Sequence, residues 1–392
     1  MNRYSANEIF HILLFLVFIL VFYSAMHFYM IARVRRAFPG PRSRLLIPLS
    51  AFMILAPVFI LTFKKIVPVP LTQALCVVAY LWLAWMFWFC SFSAGVDLWN
   101  LAVRRRWERR ARLGPAFIRP RVAVSAILIL IAVCTAWGYH EAATVRVKTL
   151  TIQTPKLPAG TKPIRIVLIS DLHLTPMLGA DRLKRTLDLA ARQRPDLLLC
   201  AGDLVDAPLA SLQEEARLLA AMNAPLGKFA VTGNHDYYLG KETSLEFHSA
   251  AGFPVLQNES VLLNQRLRLV GVDDRSGFRS PTLWHEAEDR SLPPTKDSEF
   301  VLLLKHRPLL NDLTKGRFDL QLSGHVHGGQ TFPFGLLAWL SGSRRTGLHH
   351  LEDGALLYVT RGAGTWGPPL RVLAPPEINV IVLEPATLSA NP

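Results

Sequence analysis

Short runs of acidic, histidine and asparagine residues recur through the second half of the chain. They are D-L-H at 171–173, G-D at 202–203, G-N-H-D at 233–236, a histidine at 306 and G-H-V-H at 324–327. Carboxylate, imidazole and amide groups without thiolates are ligands that suit Mn, Fe, Zn, Ni or Co. One such run alone is weak evidence, because a lone histidine after a strand is usually an ordinary loop residue. Five runs together predict a site for divalent cations.

Each of these runs directly follows a segment that we predict to be a buried strand. The strands are expected at 164–170, 196–202, 228–233, 299–305 and 318–323. The carboxyl ends of neighbouring strands meet at one edge of a sheet, which is where ligands bind in α/β proteins. Several carboxylates at one edge would repel each other unless cations neutralised them. Residues two apart on an extended backbone point to one face, which would pair Asp171 with His173 and His325 with His327.

The remaining elements predict an α/β fold. Amphipathic helices are expected at 180–193 and 211–222, and this alternation of strand and helix is typical of parallel βαβ units. Further strands are expected at 145–154, 267–272, 355–360 and 377–383. This content predicts a mixed sheet, with two packed sheets and outer helices as one form of it. The polar segment 273–298 is expected to be a solvated loop, with Asp274, Arg275 and Arg279 as alternative contacts to a substrate.

The first part of the chain has a different composition, with long apolar runs broken by arginines. Since a membrane-spanning helix needs about 20 apolar residues, we predict four spans, at 9–31, 45–63, 71–96 and 122–138. The predicted organisation has three parts. They are a transmembrane helical domain at 1–140, a linker with room for an edge strand at 141–163, and a domain with the candidate site at 164–392.

The distribution of positive charge predicts how the chain is oriented. The formal net charge is +14, and much of the excess lies in two loops, one after the first span and one after the third. By the positive-inside rule both loops face the cytoplasm, so the domain after the fourth span lies outside it. If one of the weaker spans did not cross the membrane, this domain would instead lie in the cytoplasm. Basic loops next to spans favour contact with anionic membrane lipids and argue against nucleic acid as a partner.

The five runs, in their order and spacing, resemble the motifs of the calcineurin-like metallophosphoesterases over roughly residues 160–385. The apolar first part is similar to that of membrane-anchored bacterial members. The resemblance implies a bundle of about four transmembrane helices followed by a calcineurin-like mixed β-sheet sandwich flanked by helices. It also implies a location in the bacterial inner (plasma) membrane.

The resemblance implies a centre of two divalent metal ions with a bridging carboxylate. The residues that match the family's ligands for one ion are Asp171, His173 and His327, with Asp203 as the bridge. Those that match the ligands for the other ion are Asn234, His306 and His325. His235 matches the catalytic histidine, and Asp236 is expected to orient its ring.

The family implies hydrolysis of a phosphate monoester, diester or pyrophosphate by metal-activated hydroxide attack. A lipid-linked substrate and a soluble one both fit an enzyme tethered to a membrane. An alternative of another class is a non-catalytic receptor or scaffold that binds a phosphorylated ligand. A transporter with a regulatory domain is weaker, because the spans show no paired polar residues or inverted repeat.

Overall fold

The chain begins with four long helices in the computed structural model, which describes residues 6–63, 69–107, 117–177, 179–294, 299–340, 342 and 344–386. They are α1 (Ala6–Ala37), α2 (Leu46–Phe63), α3 (Val69–Trp107) and α4 (Pro120–Ala143). Each is long and apolar enough to cross a membrane, so four candidate spans lie in the described ranges, as predicted. The chain divides into two compact units. A helical unit comprises Met1–Trp137 with Gly367–Pro369, and a sheet unit comprises Gly138–Trp366 with Leu370–Pro392.

Helix α3 continues well past the predicted end of the third span. Arg104, Arg105 and Arg106 therefore lie in its last turn rather than in a loop, where the negative end of the helix dipole favours cations. Three other arginines of that predicted loop, Arg109, Arg110 and Arg112, lie outside the described residues, as do the lysines at 64 and 65.

Polar side chains join α1 to α3 inside the helical unit. The Asp97 carboxylate accepts hydrogen bonds from Tyr29 and Arg33, and Trp82 Nε1 donates to His27 Nε2 at 2.9 Å. His27 is buried. Polar groups that face an apolar solvent need partners of this kind, so these contacts are readily explained as structural.

The sheet unit contains two sheets. The first has five strands in the order β1-β11-β2-β3-β4. Its strands are β1 (Arg146–Thr154), β2 (Ile164–Ile169), β3 (Leu197–Cys200), β4 (Lys228–Ala230) and β11 (Glu377–Pro385). Strands β2, β3 and β4 run parallel, and the connections between them contain α5 (Ala180–Arg192) and α6 (Gln213–Ala220). These are the predicted βαβ units.

The second sheet has six strands in the order β5-β6-β7-β8-β10-β9. They are β5 (Glu259–Leu263), β6 (Leu267–Val272), β7 (Phe300–Lys305), β8 (Leu320–Ser323), β9 (Gly347–His350) and β10 (Leu356–Val359). The four inner strands are parallel, and the two edge strands are antiparallel to their neighbours. The other helices are α7 (Asn234–Leu239), α8 (Lys241–Ala250), α9 (Pro281–Ser291) and α10 (Phe334–Leu340).

The two sheets pack face to face around an apolar core. Ile166 and Leu199 of the first sheet share this core with Leu302 and Leu322 of the second, and all four are fully buried. Helices α5, α6 and α8 cover the outer face of the first sheet, and Trp284 of α9 covers that of the second. The predicted mixed sandwich with outer helices is therefore confirmed.

The segment 273–298 differs from its prediction as a solvated loop. It contains helix α9, which begins at Pro281 after the Ser280 side chain caps it by accepting from Leu283 N. Asp274 is buried, and its Oδ2 accepts from Arg307 Nε at 2.8 Å. The carboxylate is thus engaged within the fold, whereas Arg275 and Arg279 are exposed. Residues 295–298 lie outside the described part.

Candidate metal centre

The predicted site residues follow the carboxyl ends of strands from both sheets. Asp171 and His173 follow β2, Asp203 follows β3, and Asn234 and His235 follow β4. The second sheet contributes three histidines after β7 and β8, namely His306, His325 and His327. The structure brings all eight into one region of the sheet unit, through the contacts described below.

These residues lie beyond the strands in an unusual backbone conformation. Asp171, His173, Asp203, His325 and His327 all have positive φ, between 47° and 72°. An extended backbone was the expected reason for pairing Asp171 with His173 and His325 with His327. That reason is wrong, because the backbone at these residues is left-handed. Positive φ is uncommon outside glycine and concentrates at functional sites.

One cluster consists of Asp171, His173 and His327. Each offers one ligand atom, and these atoms lie within 4.8 Å of one another. His173 Nε2 is 3.0 Å from His327 Nε2, which is itself 3.4 Å from Asp171 Oδ1. Three buried donor atoms thus converge on one small volume.

A second cluster consists of Asp203, His306 and His325, again within 4.8 Å. His306 Nε2 lies 3.1 Å from Asp203 Oδ2 and 3.2 Å from His325 Nδ1. The same Asp203 oxygen is 3.8 Å from His173 Nε2 of the first cluster. One carboxylate oxygen therefore lies between the two clusters.

Burial and mutual charges set the protonation of the second cluster. Burial lowers the pKa of His306, but the Asp203 carboxylate outweighs this and raises it to about 10. Burial raises the pKa of Asp203, yet the neighbouring His306 holds it well below its usual range. Burial, His306 and Arg307 lower the pKa of His325 to about 3. The negative Asp203 therefore favours positive charge beside it, which a bound cation would supply in place of the His306 proton. A neutral His325 keeps a lone pair to donate.

Burial and neighbouring charges also shift the pKa values in the first cluster. Burial, His173 and Arg371 lower the pKa of His327 well below its usual value. Burial raises the pKa of Asp171, because a carboxylate loses its hydration there. Both groups gain from a cation that replaces the lost hydration.

Two glycines allow the loops to approach these carboxylates closely. A Cβ on Gly233 would lie 2.1 Å from Asp203 Oδ1, and one on Gly324 would lie 2.3 Å from Asp171 Oδ2. Real Cβ atoms do not approach an oxygen so closely. The glycines in G-N-H-D and G-H-V-H are therefore required by space at the site.

Replacing Gly233 with alanine is expected to displace the Asp203 carboxylate and weaken divalent metal binding about tenfold or more. The overpacking should also cost about 1–3 kcal/mol of unfolding free energy. Metal titration and thermal unfolding of the full chain measure both effects. Gly95→Ala is the matched control, since nothing lies within 4 Å of a Cβ at that position. Unchanged metal affinity in Gly233→Ala would contradict this account.

His235 lies beside the two clusters and is held by Asp206. Its Nδ1 is 2.9 Å from Asp206 Oδ1, and its ring packs edge to face on His173 at 4.5 Å between centroids. Asp206 Oδ2 is in turn 3.0 Å from His173 Nδ1. One carboxylate thus fixes the rings of both histidines, and the Nε2 atom of His235 is left to face a ligand.

The prediction that Asp236 orients His235 is not what the contacts show. The Asp236 carboxylate accepts from Gly233 N at 2.5 Å and from Ser244, and it lies 3.2 Å from His248 Nε2. Asp236 therefore ties the start of α7 to α8. The sequence could have indicated Asp206, because it is a second aspartate only three residues after Asp203.

Changing Asp206 to asparagine is expected to lower kcat/KM for phosphoester hydrolysis by about 10–100-fold. The two carboxylate oxygens of Asp206 each contact one imidazole nitrogen, of His173 and of His235. Asparagine has a single side-chain oxygen, so one of the two rings would lose its acceptor. The loss should fall on kcat more than on KM, with metal content largely kept. Steady-state kinetics and metal analysis test this, with the exposed Asp188→Asn as the control. An unchanged kcat would show that the Asp206 contacts are only structural.

A buried arginine holds the loop of His327. Arg371 is fully buried, and its guanidinium donates to His327 O at 3.2 Å and to Gly364 O at 2.6 Å. Its Nη2 also lies 3.2 Å from His327 Nδ1. No sequence pattern indicated this residue, which stabilises the loop through carbonyl groups distant in the chain.

The donor set fits divalent cations. Asn234 is buried, and its Oδ1 has no hydrogen-bond partner among the described residues, which is costly for a polar atom. The flanking residues lie against Asp203, whose Oδ1 accepts from His235 N at 2.9 Å. The imidazole pairs at 3.0 and 3.2 Å direct nitrogen toward nitrogen. Cations coordinated by these atoms would explain both features.

Comparisons with known proteins agree with the geometry. The family model for calcineurin-like phosphoesterases matches residues 164–329. An uncharacterized metallophosphoesterase of Aquifex aeolicus is 40% identical over 251 residues, which cover 64% of this chain and 95% of that protein. A transmembrane protein with metallophosphoesterase domain from Danio rerio is 32% identical over 299 residues, covering 70% and 68% of the two chains.

A third relative, an uncharacterized metallophosphoesterase of Bacillus subtilis, is 31% identical over 264 residues, covering 63% of this chain and 88% of that protein. The A. aeolicus protein is matched over nearly its whole length at an identity that establishes common descent. The chain therefore belongs to the calcineurin-like phosphoesterase family and is a metal-dependent phosphoester hydrolase.

Proposed function

We propose that the protein is a membrane-bound phosphoesterase with a centre of two divalent metal ions, and that it hydrolyses a phosphate ester or pyrophosphate. The observation that carries the proposal is the pair of clusters that share Asp203. Seven residues would hold the ions: Asp171, His173, Asp203, Asn234, His306, His325 and His327. Mn, Fe, Zn, Ni and Co all accept such ligands.

Two ions bound here would activate the attacking water and neutralise the phosphoryl oxygens. The residues around the ions have separate roles in the reaction. His235 faces the substrate with Nε2 and donates a proton to the departing oxygen. Asp206 holds the His235 ring in that orientation through Nδ1. The ring of Trp366 packs edge to face on that of His235, with 5.7 Å between the centroids.

The four apolar helices mark the chain as a membrane protein. We place the sheet unit on the outer side of a bacterial inner membrane, because the arginine-rich segments after the first and third spans favour the cytoplasm. The substrate is a phosphorylated molecule, and one attached to a lipid fits an enzyme kept at a membrane. Anionic lipids next to the basic segments are further partners.

Metal content and turnover of the full chain in detergent test the proposal. We expect about two divalent ions per chain, and Mn²⁺-dependent hydrolysis of generic phosphate monoesters or diesters. His325→Ala should lose one ion and the activity, whereas exposed His350→Ala should keep both. A folded chain that binds no metal and hydrolyses no phosphoester under any metal would refute the proposal.

A further inference from the structure

Helix α10, the seven-residue segment F-G-L-L-A-W-L at 334–340, has no buried residue. Phe334 is 53% exposed, Leu337 49% and Trp339 44%. A helix that is apolar all round is normally buried, and an exposed apolar patch of this kind marks a binding surface.

A cavity of about 770 Å³ is lined by this helix and by one residue of the candidate metal centre, His325. Its wall includes His325 of the second cluster, Phe334, Leu337 and Trp339 of α10, and the two arginines Arg344 and Arg345. The volume is within the range of small-molecule sites. A ligand with a phosphate among the histidines would therefore extend directly along apolar side chains.

Two arginines give this groove a positive charge. Arg344 and Arg345 are exposed, and the Arg345 guanidinium carbon lies 4.1 Å from the centroid of the Trp339 ring. Stacking holds that cation against the apolar wall. An apolar surface with fixed positive charge complements a molecule that has a hydrocarbon chain and an anionic head.

We propose that the groove along α10 binds the hydrocarbon chain of an anionic phospholipid-type substrate whose phosphate lies at the metal centre. This deepens the proposed function, on which it rests, by assigning the substrate class. A bilayer surface alone would cover α10, but it would not use a cavity that is lined by a residue of the centre. The groove therefore favours a single lipid molecule as the occupant.

Binding of n-alkylphosphonates from ethyl to octyl tests the proposal, because these compounds have the phosphate charge and are not hydrolysed. The full chain is used in nanodiscs with Mn²⁺, and titration calorimetry is corrected with empty nanodiscs. We expect Kd to fall about two- to fourfold for each added methylene. Leu337→Gln should flatten this dependence, because it weakens binding of octylphosphonate more than binding of ethylphosphonate. Leu283→Gln, at a leucine of α9 with similar exposure, should keep the wild-type dependence.

Three results would overturn the proposal. They are no chain-length dependence in the wild type, an equal dependence in all three proteins, or equal binding of alkyltrimethylammonium ions of matching length. The last result would assign α10 to general contact with apolar molecules or the bilayer. Hydrolysis of a short ester is measured in parallel. Absent turnover with an intact dependence refutes the proposed hydrolysis and not the groove, whereas normal turnover with a flat dependence refutes the groove alone.

Discussion

Replacing His235 with alanine is expected to reduce kcat by about 10²–10⁴, the usual contribution of a general acid or base, while both metal ions remain bound. Asp206 holds the ring at Nδ1, which leaves Nε2 without that partner and able to act on a ligand. The reduction should be larger for an alkyl phosphate than for p-nitrophenyl phosphate, because a poor leaving group needs the donated proton more. Kinetics with both esters and metal analysis measure this.

His350→Ala is the control for the histidine variant, since His350 is exposed on an edge strand. The result also separates the enzyme from a receptor that only binds a phosphorylated ligand. Equal losses for both esters would argue against proton donation by His235. Full activity in the variant would remove His235 from the reaction.

Replacing Asp203 with asparagine is expected to abolish measurable hydrolysis and to release at least one metal ion. Asp203 Oδ2 lies 3.1 Å from His306 Nε2 and 3.8 Å from His173 Nε2, so a single carboxylate serves both clusters. Loss of the charge between two cations should cost about 4 kcal/mol or more, which is at least a thousandfold in kcat/KM. Metal analysis and turnover over a range of added Mn²⁺ give the measurement.

Asp181→Asn, in the exposed first turn of α5, controls for the loss of one carboxylate. Thermal unfolding should be measured for both variants, because Asp203 Oδ1 also accepts from His235 N. If Asp203→Asn retains two ions and more than a tenth of the activity, the carboxylate does not bridge them.

The strands that hold the site were predictable because a buried strand is a short apolar run. Strands β2, β7 and β8 lie within one or two residues of their predicted positions. The edge strands β5 and β9 were not predicted, because E-S-V-L-L and G-L-H-H are short and partly exposed. Helix α9 was not predicted because the polar residues around it resemble a loop.

The convergence of the site was predictable, but its internal contacts were not. Adjacency in sequence suggested Asp236 as the partner of His235, yet the start of α7 turns that carboxylate toward Gly233 N. Asp206 reaches both histidines because β3, which it follows, lies between β2 and β4 in the sheet. The left-handed backbone at Asp171 and His325 is a product of tertiary structure. Such contacts depend on the pairing of distant segments, which local patterns do not encode.

The position of β11 in the first sheet constrains when this sheet can fold during synthesis. It lies between β1 and β2 and pairs with both, although the ribosome adds it after every other strand that the structure describes. Until then β1 has no partner, and β2 has one open edge, which is a surface prone to mispairing. The apolar helices emerge much earlier and can enter the membrane first. The first sheet can therefore be completed only after β11 has been synthesised. Before that, β2 and the loop that follows it with Asp171 lack a neighbouring strand on one side.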